Sequence, residues 1–136
     1  MRGKSFIVLT ALFLCACPAY AGIIHLRDGQ THNIDYRIID NIYVDYETPN
    51  KYTKVNWLAG GKIYYPDKLS GYERSRINVL GGVIEQLYSY DSSRVSISGG
   101  SINSLNCLGS SWASISGGSI RYFQSSAYSQ ATISGG

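Results

Sequence analysis

Apolar positions fall into one recurring pattern along the second half of the chain. The strings Arg76-Ile-Asn-Val-Leu-Gly-Gly82, Arg94-Val-Ser-Ile-Ser-Gly-Gly100, Trp112-Ala-Ser-Ile-Ser-Gly-Gly118 and Gln130-Ala-Thr-Ile-Ser-Gly-Gly136 succeed one another at 18-residue steps. Within each, apolar residues alternate with polar ones (Ile77/Val79, Val95/Ile97, Ala113/Ile115, Ala131/Ile133), which is the period of a short strand with one face turned inward. The Gly-Gly pair permits positive φ and a sharp corner without a Cβ clash. Beyond it, Ile84, Ile102 and Ile120, then Leu87, Leu105 and Phe123, continue the inner layer, and polar stretches such as Asp91-Ser92-Ser93 return the chain to the next strand. A unit of this length cannot bury its apolar side alone and must stack on its neighbours. The pattern therefore predicts an all-β fold, a parallel β-helix or β-solenoid with coils of 18 residues.

Two other solenoids of similar period are excluded by residue type. A hexapeptide left-handed helix needs a large aliphatic at every sixth position, and stepping from Ile97 lands on Asn103 and Gly109. A calcium-binding β-roll needs Asp in each half-coil, whereas the positions equivalent to Asp91 hold Gly109 and Ala127. The general preference for right-handed crossovers makes a right-handed coil the expectation. Upstream, Leu69 to Gly82 aligns with Leu87 to Gly100 without a gap, and Gly60-Gly61 opens an earlier corner. The step from Gly60 to Gly81 is 21, so three residues are inserted, placed around Tyr64-Tyr65-Pro66-Asp67. Residues 38–46 read as a strand and Glu47-Thr-Pro-Asn-Lys51 as a turn. Asp28-Gly29, flanked by strand-like residues 23–27 and 30–36, is a two-residue hairpin signal. An open solenoid end exposes a strand edge, so residues 22–46 are expected to form an N-terminal β-hairpin cap, with residues 47–136 as the solenoid. The other end has no cap and stops seven positions into a coil, which points to an incomplete array or to an edge that pairs with another molecule.

Residues 1–21 carry Arg2 and Lys4, an apolar run from Phe6 to Leu14, and Ala19-Tyr20-Ala21, the pattern of a secretory signal peptide. The run is too short to span a bilayer, so no transmembrane segment is expected in the mature chain. Leu14-Cys15-Ala16-Cys17 also resembles a lipoprotein cleavage site, with lipid anchoring through Cys17 as the minor route. Removing Arg2 and Lys4 leaves 10 of the 12 basic residues against 9 acids, so the net charge falls from +3 to +1 and no general attraction to nucleic acid follows. Only Cys107 survives the cleavage, at a position where other repeats carry Ser89 and Ser125, which marks it as a small buried filler.

Candidate chemistry is sparse. The hairpin would bring His25 and His32 opposite each other, yet further ligands are lacking, and neither a metal site nor a cofactor is expected. Asp35, Asp40 and Asp45 alternate between strand faces and read as solvated, and there is no carboxylate from residue 92 onward, so a glycan-cleaving β-helix is the least favoured reading and no enzyme is expected. Outward positions are more informative. Ser96/Ser98, Ser114/Ser116 and Thr132/Ser134 would stack into two hydroxyl ladders about 4.8 Å per rung, a lattice suited to carbohydrate or ice. Twelve tyrosines, including the outward Tyr88 and Tyr90, add surfaces able to stack on sugars or partner proteins.

The block from Leu87 through Arg94-Val-Ser-Ile-Ser-Gly-Gly100 to Ile102, with a lead-in from Thr31-His-Asn-Ile-Asp-Tyr36 to Val55-Asn-Trp57, resembles the Gly-Gly repeat arrays of secreted bacterial proteins that often end in a PEP-CTERM sorting segment. The resemblance implies export to a surface or matrix and no known reaction. This sequence departs from it in lacking the Pro-Glu-Pro sorting segment. The functional expectation is a non-enzymatic structural or adhesive repeat protein, with a carbohydrate- or ice-binding module as the alternative. Extracellular polysaccharide, surface proteins or edge-to-edge copies of the chain would be its partners.

Overall fold

The computed structural model describes residues 22–48 and 50–135, so the expected signal segment and Cys17 lie outside the described residues. No helix occurs among the described residues, and none is long and apolar enough to cross a membrane. Two sheets run the length of the molecule. One has six strands in the order β16 (Gln130–Ile133), β14 (Trp112–Ile115), β12 (Arg94–Ile97), β10 (Arg76–Val79), β7 (Lys54–Trp57) and β2 (Thr31–Ile34). The other follows β1 (Ile23–Leu26), β4 (Asn41–Val44), β9 (Leu69–Gly71), β11 (Val83–Ser89), β13 (Ser101–Cys107) and β15 (Ser119–Ser125), with β3 (Arg37–Ile38) and β8 (Lys62–Ile63) attached beside it. Every pairing between coils is parallel, and Ile77↔Val95↔Ala113 and Leu87↔Leu105↔Phe123 advance by 18 residues per rung. The chain is a β-solenoid of about six turns, as the periodicity predicts.

The core is the slot between the sheets. Ile77, Val79, Ile97 and Ala113 from one side meet Ile63, Leu69, Ile84, Leu87 and Leu105 from the other, all fully buried. Each such aliphatic contributes on the order of 1.5–3 kcal/mol by leaving water. At the last described rung the same positions are open, with Phe123 39% and Ile133 64% exposed.

Both corners of the coil are set by residue type. In the Gly81-Gly82, Gly99-Gly100 and Gly117-Gly118 pairs the second residue has positive φ (75°, 85° and 83°), and Gly99 and Gly117 each lie against a carbonyl of the coil before. The return corner is a four-residue turn closed by the N–H of Ser75, Ser93, Ser111 or Ser129, and its second residue is left-handed: Glu73, Asp91, Gly109 and Ala127. A non-glycine residue there is strained by about 1–2 kcal/mol, part of which is offset by the entropy a glycine loses on folding. Ala127→Gly should therefore raise stability by about 0.5–1 kcal/mol, visible as a higher midpoint in thermal unfolding followed by circular dichroism. Inside this corner Ser89 and Ser93 pair through their hydroxyls at 2.7 Å. Cys107 occupies the Ser89 position beside Ser111, fully buried, and burial pushes its thiol up to about 11.

The three-residue insertion lies where the sequence locates it. Ile63 pairs with Ile84 but Leu69 with Leu87, so the extra residues fall within 64–68. A second excursion, the antiparallel pair β5 (Tyr46–Thr48) and β6 (Lys51–Tyr52), grows from a return corner.

The N-terminal hairpin does not form. β1 pairs with β4 and β2 with β7, both in parallel, so these strands belong to opposite sheets of the first coil. Asp28-Gly29 makes a sheet-to-sheet corner instead, with Gly29 at φ 66° and both N–H groups donating to Thr53 Oγ1 at 3.1 and 3.0 Å. Stacking on the next coil buries Ile24, Leu26 and Ile34 in the common slot, which an isolated two-stranded ribbon cannot do. Asp40 is also not solvated: it is 3% exposed and accepts the Gly22 N–H, and burial, with the neighbouring Asp40 as a second cause, raises the carboxyl of Asp67.

Candidate functional site

The outer face of the six-stranded sheet consists of straight columns, because parallel strands in direct register place paired side chains above one another. Ser96, Ser114 and Thr132 form one column. Ser98, Ser116 and Ser134 form the next, held by N–H bonds of 2.8–2.9 Å to Val79, Ile97 and Ile115 carbonyls. Ser116 and Ser134 hydroxyls also reach back toward the Ile97 and Ile115 carbonyls at 3.4 Å. The first column does not stop at Asn78. It continues as an asparagine ladder, Asn78 Nδ2 donating to Asn56 Oδ1 at 2.9 Å and Asn56 Nδ2 to Asn33 Oδ1 at 2.8 Å.

Tyr88 and Tyr90 meet on the opposite sheet. Tyr90 stacks on Tyr72 (centroids 4.8 Å, planes 7° apart) and lies nearly parallel to Tyr88 at 5.7 Å. Tyr43 meets Tyr72 edge-on, and His25 meets Tyr43 in the same way, so the rings form one strip across four coils. Lys68 Nζ sits 5.4 Å from the Tyr88 ring centre. The rings thus pack on one another and against an ammonium. Burial raises the phenols of Tyr72 and Tyr90 above their ordinary range. Such pairs add about 0.5–1.5 kcal/mol each beyond burial, so the strip ties successive coils together.

An open groove of about 690 Å³ lies at the border of the six-stranded sheet and the return corners, lined by Ser92, Arg94, Ser110, Ser111, Trp112, Tyr128 and Gln130. Arg94, Trp112 and Gln130 are successive rungs of one column, and Tyr128 projects from the turn that precedes Gln130. The Arg94 guanidinium lies 5.4 Å from the Trp112 ring centre, and Tyr128 is 84% exposed. Aromatic surface, a guanidinium, an amide and hydroxyls converge here, a combination suited to a ligand with alternating C–H faces and hydroxyls. None of Arg94, Trp112, Tyr128 or Gln130 stood out in the sequence. The signal lay in the first position of each repeat string, where Arg76, Arg94, Trp112 and Gln130 vary while the inward positions stay fixed.

The histidines are separated. His25 lies in the eight-stranded sheet, while His32 in the other sheet pairs with Asp28 at 2.9 and 3.1 Å. Burial alone would raise the Asp28 carboxyl, but the His32 contact and the Gln30 N–H outweigh it and hold it below its usual range. Among the described residues no three His, Cys, Asp or Glu side chains gather as metal ligands. No family model, curated protein or solved structure matches the chain.

Proposed function

We propose that this chain is a non-enzymatic, adhesive β-solenoid that binds extracellular polysaccharide along the outer face of its six-stranded sheet. The observation that carries the reading is the groove at Trp112 and Tyr128, where an 84% exposed tyrosine stands beside a half-open indole, a guanidinium and a row of hydroxyls. The Ser96/Ser114/Thr132 column continues the polar surface along the same face, so a chain-like ligand meets equivalent groups at each rung. Export to the cell surface or matrix is supported by the signal-like residues 1–21 and by the resemblance to secreted Gly-Gly repeat arrays. Ice binding is less well supported, since Thr132 supplies the single side-chain methyl in the two hydroxyl columns.

Affinity electrophoresis in gels containing insoluble or soluble polysaccharides tests the proposal. Tyr128→Ala and Trp112→Ala should each weaken retention about tenfold, the equivalent of about 1.4 kcal/mol. Tyr128 is exposed enough that its removal should hardly move the thermal midpoint, and circular dichroism should show the Trp112 variant still folded. Unchanged retention in the double variant, or turnover of any polysaccharide by the wild-type chain, would overturn it.

A further inference from the structure

We propose that the polysaccharide taken by this face is anionic, recognised by a column of cations that runs into the groove. The inference rests on the glycan-binding reading above and names the class of glycan. Lys54, Arg76 and Arg94 occupy directly paired rungs of β7, β10 and β12, so three positive charges stand one above another at about 4.8 Å per rung. Like charges directly opposed across strands are destabilising, and a sheet normally avoids them. Among the described residues no carboxylate lies within ion-pair distance of any of the three.

Carboxylates are nearby but engaged or displaced. The outward positions of the six strands, from Thr31 and Asn33 to Gln130 and Thr132, contain none. Asp35, just past β2, accepts the Gly60 N–H at 2.7 Å. Asp91 accepts the Glu73 N–H at the return corner, Asp28 is bound to His32, and Asp45 has partners of its own. Among the described residues, then, no carboxylate is in place to relieve the repulsion within the column.

The two arginines are also held in position. The Arg76 guanidinium lies 4.3 Å from the Tyr52 ring centre and the Arg94 guanidinium 5.4 Å from that of Trp112. A guanidinium drawn to a ring face still presents N–H groups at its rim, and that fork matches a carboxylate or sulfate in a bidentate contact. Beside the column run the amides of Asn56 and Asn78 and the hydroxyl of Ser96, which suit sugar hydroxyls better than the continuous charge of a nucleic acid backbone. Trp112, the rung after Arg94, lines the groove, so charge recognition and ring stacking lie on one line.

Polygalacturonate and its fully methyl-esterified form separate the two ideas, because they share a sugar and differ in charge. Wild-type chain should be retained at least tenfold more strongly by the acid polymer, with the preference shrinking as salt rises. Lys54→Gln/Arg76→Gln should lose most of that preference while keeping its binding to the ester, and circular dichroism should show both chains folded. Lys54→Gln offers a second variant should the double one fail to fold. Equal retention of acid and ester overturns the charge inference and leaves the glycan reading standing. Retention of neither polymer, nor of dextran sulfate or dextran, overturns both. Equal retention of duplex DNA at the same salt overturns the selectivity for glycan.

Discussion

Gly100→Ala is expected to cost about 3 kcal/mol or more, enough to unfold the coils around it, and the cost comes from two independent sources. The residue sits at φ 85°, a conformation that penalises any Cβ by about 1–2 kcal/mol. The added methyl would also lie 2.6 Å from the Gly81 carbonyl oxygen and 2.8 Å from its carbon. Those are backbone atoms of the neighbouring coil, so no side chain can swing aside to relieve the contact. Relief would require the coils to separate, which breaks the ladder bond from the Ser101 N–H to the Gly82 carbonyl, now 2.9 Å long. In a solenoid each coil contacts only its neighbours, so one loosened interface weakens both sides of it. Urea unfolding monitored by far-ultraviolet circular dichroism should show a much lower midpoint or a loss of cooperativity. A midpoint within experimental scatter of wild type would mean that the corner does not hold the coil spacing.

The same corner explains why the architecture was legible in the sequence. Gly-Gly pairs and inward Ile, Val and Leu positions are local requirements repeated at each rung, so the period reports them directly. The insertion within 64–68 was legible for the same reason, as a change of step between flanking glycines. Asp28-Gly29 misled because a left-handed glycine after aspartate serves equally well in a hairpin and in a solenoid corner. What separates the two is whether the next coil supplies Thr53 Oγ1 and a parallel partner, and that information lies some 25 residues away. Asp40 was misplaced by the same limitation, since alternation was counted along one strand while burial is set by the Gly22 N–H and the residue 64–68 loop.

The candidate site was only partly legible. The hydroxyl columns follow from period alone, because Ser96, Ser114 and Thr132 share a repeat position. The groove depends on residues that depart from the repeat: Trp112 replaces an arginine, and Tyr128 replaces Ser92 and Ser110. Reading for regularity passes over such departures, yet on a repetitive scaffold they are what make one stretch of face different from the next. The cation column was hidden in turn, because the Lys54 to Arg76 step is 22 rather than 18 and only the three-dimensional register aligns them.

Trp57 carries the other large expected effect, and comparing two substitutions there distinguishes volume from polarity. It is fully buried in the rung where Val79, Ile97 and Ile115 stand in later coils, and its indole fills the space beneath the Gly61 and Gly82 corners. Trp57→Ala leaves a cavity that neither corner can collapse into without breaking its own close contacts, so a loss of about 3–5 kcal/mol is expected. Trp57→Phe removes less volume and also removes the indole N–H, which is buried without a hydrogen-bond partner among the described residues. Leaving such a donor unpaired costs on the order of 1–3 kcal/mol, so its removal offsets much of the lost packing. The phenylalanine variant should therefore fall within about 1.5 kcal/mol of wild type. Chemical denaturation of the three proteins, followed by circular dichroism so that loss of the fluorophore does not interfere, gives both numbers. A phenylalanine variant as damaged as the alanine one would show that the indole nitrogen is satisfied in solution and that the second coil is held by that bond rather than by filling its corner.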